Sequence, residues 1–127
     1  MRDIWKETVL VGSNESIRQF AREIGDRNPL HHDKEAAIKV GFEDIASTGV
    51  RIIGYISSMI ANEIPLVIVA EVNVRFLRPV YAGMVVTTTC TIVSRKKRLA
   101  KASITVKDRI ETLLAEASCM LVLPIGV

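Results

Sequence analysis

An α+β fold, an antiparallel sheet wrapped round one long central helix, is predicted by three features of this 127-residue chain. From Gly49 to Asn62 the residues are apolar nearly all round (Val50, Ile52, Ile53, Tyr55, Ile56, Met59, Ile60, Ala61), so a helix here has to be buried on most sides. After Pro65 the periodicity changes to strand-like alternation and stays so to the end. The remaining helical patterns all lie upstream, so the downstream strands have to bury this helix by wrapping round it as a sheet. One domain over 1–127 accommodates all of this, since 49% of the residues are hydrophobic and that suffices for a core without staples.

The elements follow in order. Thr8 to Val11 is a short apolar run. Ser13 then stands where an N-cap belongs, and Glu15 sits in the first turn, where a carboxylate meets the positive end of the helix dipole. Ile17, Phe20, Ala21 and Ile24 recur at helical spacing with Arg18, Gln19, Arg22 and Glu23 opposite, and Gly25 supplies the stop. Asp26 therefore emerges just past a helix end. Asp33 is placed to cap a short helix through Glu35, Ala36, Ala37 and Ile38, which Gly41 ends before the loop Phe42 to Thr48. Beyond the central helix, Ala70, Val72, Val74 and Phe76 alternate with Glu71, Asn73, Arg75 and Leu77. Pro79 and Gly83 mark a turn, and three strands follow at Met84 to Ser94, Leu99 to Lys107 and Thr112 to Leu123. Such a sheet has open edges, which makes a dimer pairing sheets edge to edge a natural expectation.

Composition excludes several functions. The net charge is +3, but the basic residues are scattered except for Arg95, Lys96, Lys97 and Arg98, a run that reads as a solvated hairpin tip. Aromatic residues make up 5% of the chain and none interleaves with that run, so nucleic acid is not an expected partner. No apolar run approaches the roughly 20 residues a membrane helix needs. Around Trp5 the N-terminus carries Arg2, Asp3 and Lys6 without the apolar stretch of a secretory signal, so the cytoplasm is the expected compartment. Cys90 and Cys119 lie in separate strand runs without metal-ligand spacing, which suits buried reduced thiols.

The chemistry-bearing segment is Gly25, Asp26, Arg27, Asn28, Pro29, Leu30, His31, His32, Asp33. Its Asp-x-Asn-Pro-x-His core resembles the signature of the MaoC-like (R)-specific enoyl-CoA hydratases, and the similarity continues through Asp33 to Ala37, Ile45 to Ser57, and Phe76, Pro79, Val80 and Gly83. The resemblance implies the hotdog fold and the reversible hydration of a trans-2-enoyl thioester to a 3-hydroxyacyl thioester of R configuration. It further implies that Asp26 and His31 are catalytic, that the Gly49 amide receives charge on the thioester oxygen, that Asn28 orients the loop or the water, and that Ser57 lies near the substrate. The acyl group would arrive on coenzyme A or acyl carrier protein, and mild basicity suits the phosphates of such a carrier. A homodimer is the family habit.

These residue types fit that chemistry. Water attacks C3 of an enoyl thioester poorly unless a base orients and deprotonates it while an acid protonates C2. A carboxylate and an imidazole sharing one water do both on one face, and amides at a helix N-terminus are suited to the developing oxyanion. No metal or other cofactor is expected, because the adjacent His31 and His32 point apart and no third ligand follows at metal spacing. Each residue also has a plainer role open to it: Asp26 as a turn former, His31 as a histidine satisfied in the core, Ser57 bonding to its own helix. His32 lies outside the motif register and reads as an exposed or capping residue.

Two departures from the family pattern stand out. Ser47, Thr48, Gly49 and Val50 replace the usual Ala-His-Gly-Met, and Arg51 puts a charge where an aliphatic residue is usual. Arg51 spaces with Tyr55, Ser58 and Asn62 as a polar stripe, facing either a dimer partner or solvent, or else a pocket for an unusual acyl group. Two other functions remain open: a hotdog thioesterase and a non-catalytic acyl-thioester-binding protein. The first usually places a carboxylate on the central helix, and none occurs between Gly49 and Asn62.

Overall fold

The computed structural model describes residues 1–127. Strand β1 (Ile4–Leu10) leads to helix α1 (Asn14–Glu23), a single 3₁₀ turn (Pro29–His31), helix α2 (Lys34–Lys39) and helix α3 (Gly49–Glu63). Four strands follow: β2 (Ile68–Phe76), β3 (Val85–Lys96), β4 (Leu99–Lys107) and β5 (Leu113–Val122). They form one antiparallel sheet in the order β1-β3-β4-β5-β2. The sheet packs on α3 in the hotdog arrangement.

Helix α3 buries Ile52, Ile56, Met59 and Ile60 to 2% exposure or less, the i, i+4, i+7, i+8 set of one face. Burying each such side chain contributes about 1.5–3 kcal/mol. Against them lie Val86 and Cys90 of β3, Ala100, Ala102, Ile104 and Val106 of β4, and Ala117, Cys119 and Leu121 of β5. Three of these are alanines, which let the helix approach the sheet closely. The Trp5 indole N–H donates to the Met59 carbonyl at 3.0 Å, tying β1 to the same helix.

The capping predictions hold. Ser13 accepts from the Ser16 N–H, Asp33 from the Glu35 N–H, and Gly25 takes φ +74°, which suits glycine after a helix end. Thr48, unremarked as a cap in the sequence, accepts from the Arg51 N–H at 3.2 Å and opens α3.

Three details differ from expectation. Helix α3 is buried on one side only: Val50, Gly54, Ser57, Ser58 and Ala61 are exposed, because only the face carrying Ile52, Ile56, Met59 and Ile60 meets the core. Strand β1 begins at Ile4, not Thr8, because its faces are chemically mixed, with Trp5 buried while Ile4 and Leu10 are exposed. In β2 a bulge between Val69 and Glu71 interrupts the alternation, and Val72 and Phe76 stay exposed on this edge strand. Cys90 and Cys119 are free and buried, and burial pushes their thiols up to about 12 and about 11. No helix is long and apolar enough to cross a membrane.

Candidate active site

The end of α1 determines where the motif begins. The Asp26 N–H donates to the Ala21 carbonyl at 2.8 Å, so Asp26 is attached to the last turn of a helix rather than to a free loop. Its Oδ1 then accepts from the Asn28 N–H at 2.9 Å, and the Asn28 side chain accepts from the Leu30 N–H at 3.1 Å, opening the 3₁₀ turn that Pro29 begins. The turn carries His31 back toward Asp26. Its Nε2 stands 3.5 Å from Asp26 Oδ2, with the two side chains 13% and 32% exposed.

The other ring nitrogen decides the tautomer. His31 Nδ1 lies 2.7 Å from the Ala46 carbonyl oxygen, which only accepts, so Nδ1 carries the proton. In its neutral form the ring then presents a lone pair at Nε2 toward Asp26 Oδ2. In that form neither atom can donate to the other, and a water beside the pair is within reach of both. Since Oδ1 is engaged by the Asn28 amide, Oδ2 is the oxygen left for that water.

The surrounding loops brace this geometry. The Ala46 N–H donates to the Leu30 carbonyl at 3.0 Å, so the Phe42–Thr48 loop and the 3₁₀ turn hold each other reciprocally. His32, expected to be exposed or capping, is the C-cap of the 3₁₀ turn and half-buried, with Nε2 2.7 Å from the Asp26 carbonyl oxygen. The Arg18 Nε–H donates to the His32 carbonyl at 3.1 Å, which closes a second strap across the motif.

His31 opens onto a cleft of about 390 Å³ walled by Ala46, Ser47, Gly49 and Ile52 on one side and by Phe76 to Val80 on the other. Gly49 is the first residue of α3, and its N–H has no acceptor within the protein. A free amide at a helix N-terminus, on the wall of an apolar cleft, is a donor of the kind that suits an anionic oxygen. A Cβ at position 49 would stand 2.7 Å from Phe76 Cζ, so glycine is required for the ring to lie there. The Ser47 hydroxyl, on the same wall, is buried without a partner. A second depression of about 320 Å³ lies among Asn73, Arg75, Ser103 and Glu116, away from the motif.

Of the residues singled out from sequence, Asp26, Asn28 and His31 come together at one turn, and Gly49 shares the cleft with His31. Ser57 does not join them. It is exposed on α3, outside the cleft wall, because eight residues advance a helix by about 12 Å and turn it away from Gly49. Arg51 lines no part of the cleft, against the pocket reading offered for it, and its half-buried guanidinium folds back onto α1. Sequence reasoning missed the Ala46 carbonyl and the packing of Phe76 on Gly49, since a backbone acceptor has no residue signature. No group of three or more potential metal ligands exists.

Fold and site together define a hotdog protein with a carboxylate–imidazole pair beside a helix N-terminus. Residues 4–113 match the family model of the MaoC like domain, and the chain belongs to that family. A mitochondrial 3-hydroxyacyl-[acyl-carrier-protein] dehydratase of Arabidopsis thaliana is 35% identical over 81 residues, 64% of this chain and 48% of that protein. The chain therefore spans about half the length of that relative. A UPF0336 protein of Saccharopolyspora erythraea is 29% identical over 83% of this chain and 73% of its own length. Among solved structures, the unliganded R-hydratase PhaJ1 of Pseudomonas aeruginosa superposes with a TM-score of 0.84 at 22% identity, covering 95% of this chain and 79% of that one. The (R)-hydratase from A. caviae involved in PHA biosynthesis gives 0.85 at 20% identity, covering 95% and 94%.

Proposed function

We propose that the chain catalyses the reversible addition of water to a trans-2-enoyl thioester, giving a 3-hydroxyacyl thioester of R configuration. The observation that carries this reading is the 3.5 Å gap between His31 Nε2 and Asp26 Oδ2, with the far ring nitrogen already committed to the Ala46 carbonyl. Water held beside the two acceptors turns its oxygen lone pairs toward C3. As the O–C3 bond forms, the C2=C3 electron pair moves onto the thioester oxygen, where the Gly49 N–H stabilises it, and one water proton passes to the pair. That proton is then delivered to C2 as the enolate collapses, and dehydration is the reverse.

The family, the plant dehydratase and the R-hydratase structures all support this class of reaction. The apolar wall of the cleft suits an acyl chain, and the carrier is coenzyme A or acyl carrier protein. A thioesterase reading is disfavoured by α3, whose one carboxylate, Glu63 at its last residue, is bonded to Arg2 through both oxygens. We further propose a homodimer, supported by the exposed apolar side chains of edge strand β2, Ile68, Val72 and Phe76. Neighbouring folds include the ChsH1-ChsH2 and HadBC complexes of Mycobacterium tuberculosis.

The test is a double-mutant cycle followed by loss of the enoyl absorbance of crotonyl-CoA. Asp26→Asn and His31→Ala each lower turnover about 100-fold or more, and the double variant loses little beyond either one, as groups acting on one water do. Parental hydration by Asp26→Asn, or losses that multiply in the double variant, would refute the shared-water mechanism.

A further inference from the structure

We propose that Arg51 is a positioning residue, which holds the helix carrying Asp26 in register with the helix that presents the Gly49 amide. The inference rests on the hydratase reading of the site. Arg51 lies in the first turn of α3, two residues after Gly49. Its Nη2 donates to the Val11 carbonyl at 2.9 Å and to the Ser16 hydroxyl at 3.0 Å, and its guanidinium carbon lies 5.6 Å from the centre of the Phe20 ring. Ser16 and Phe20 are one turn apart on α1, and the next residue, Ala21, supplies the carbonyl that holds the Asp26 N–H. A short series of contacts thus runs from the oxyanion donor to the carboxylate: Gly49, Arg51, Phe20, Ala21, Asp26.

Stability alone does not account for a guanidinium here. It forms no ion pair, its acceptors are a carbonyl and a hydroxyl, and Nη1 is buried without a partner. A half-buried charge satisfied this poorly is commonly matched or bettered in stability by an apolar side chain of similar size. What an apolar side chain lacks is the fork, which fixes direction as well as distance. Gly12, at φ +93°, keeps the acceptor side clear, since a Cβ there would stand 3.2 Å from Ser16 Oγ. The aromatic face of Phe20 covers the cation where a carboxylate would otherwise be expected.

The test is steady-state hydration of crotonyl-CoA by Arg51→Leu, Arg51→Lys and Ser16→Ala, with Asp26→Asn assayed alongside. Displacing a catalytic group by about 1 Å costs on the order of 100-fold, so Arg51→Leu lowers kcat by about 10- to 100-fold. KM stays within about twofold, since the cleft wall is untouched and the change acts only on the aligned transition state. The thermal midpoint is equal or higher. Arg51→Lys recovers part of the loss, and Ser16→Ala, which removes one acceptor from the other side, lowers kcat with the same unchanged KM. Parental kcat in Arg51→Leu beside an inactive Asp26→Asn overturns the positioning role and leaves the hydratase reading intact. Parental activity in both overturns the two together. If Arg51→Leu does not fold, Arg51→Lys and Ser16→Ala decide, and parental kcat in both overturns the proposal.

Discussion

Replacing Gly49 separates two properties of one residue, its missing side chain and its unbonded N–H. Alanine adds a Cβ that would stand 2.7 Å from Phe76 Cζ and 2.9 Å from Cε2, so the ring has to move. Phe76 is 52% exposed, and it moves outward rather than into the core, which keeps the cost near the low end of overpacking, about 1 kcal/mol. Proline adds the same Cβ and also removes the N–H. The helix tolerates it, because proline is favoured at the first helical position and Thr48, at φ −66° and ψ 148°, already has the extended backbone that a residue before proline needs. The two variants therefore share a clash and differ in one donor. Made in a Phe76→Ala background, which removes the clash, Gly49→Ala and Gly49→Pro differ in turnover of crotonyl-CoA by about 100- to 1000-fold, or ~2.7–4 kcal/mol. Equal turnover in a folded pair would refute the assignment of that amide as the oxyanion donor.

Other perturbations test the scaffold. Ile56→Ala opens a cavity on the buried face of α3, where Ile56 is 1% exposed, and should lower the unfolding free energy by about 2–5 kcal/mol in urea titration. Trp5→Phe removes the indole N–H that bonds the Met59 carbonyl, a loss of about 0.5–1.5 kcal/mol for that hydrogen bond by the same assay. Burial holds the Cys90 and Cys119 thiols neutral up to about 12 and about 11, so the unfolded chain ionises first as pH rises. Their contribution is present below the ordinary thiol value and lost above it: the thermal midpoint falls from pH 9 upward, and a Cys90→Ala, Cys119→Ala variant shows a shallower fall. Light scattering at micromolar concentration should return twice the 14.0 kDa chain mass, and a monomer mass would count against the dimer.

How far the fold could be read ahead of the structure depended on whether the signal was local. Ser13, Gly25 and Asp33 mark helix ends through bonds that reach three residues or fewer, so their roles were legible in sequence order. The Asp26–His31 pair was legible for the same reason, lying within one turn and its flanks. Arg51 was not, because its acceptors, Val11 and Ser16, are 40 and 35 residues away and its helical spacing with Tyr55, Ser58 and Asn62 is accidental to its role. The position of Ser57 was not legible either: resemblance places a residue on an element but not on the face of it that this chain turns toward the cleft. The bulge in β2 likewise leaves no compositional mark, since Val69 and Glu71 look like ordinary alternation.

Every residue on the cleft wall falls between Leu30 and Val80, and Asp26 lies just before them. Strands β3, β4 and β5 contribute no residue to the cleft. The cleft is thus written in one continuous stretch of the chain, which also carries the core helix α3 and edge strand β2. The carboxyl-terminal half, including the hairpin tip Arg95–Arg98, is open to recombination between relatives as a block, provided its inward side chains still fit α3. Grafting residues 26–80 from one relative, α3 and β2 included, onto the remaining strands of another should carry acyl preference with the graft, and a preference that stays with the recipient strands would refute this.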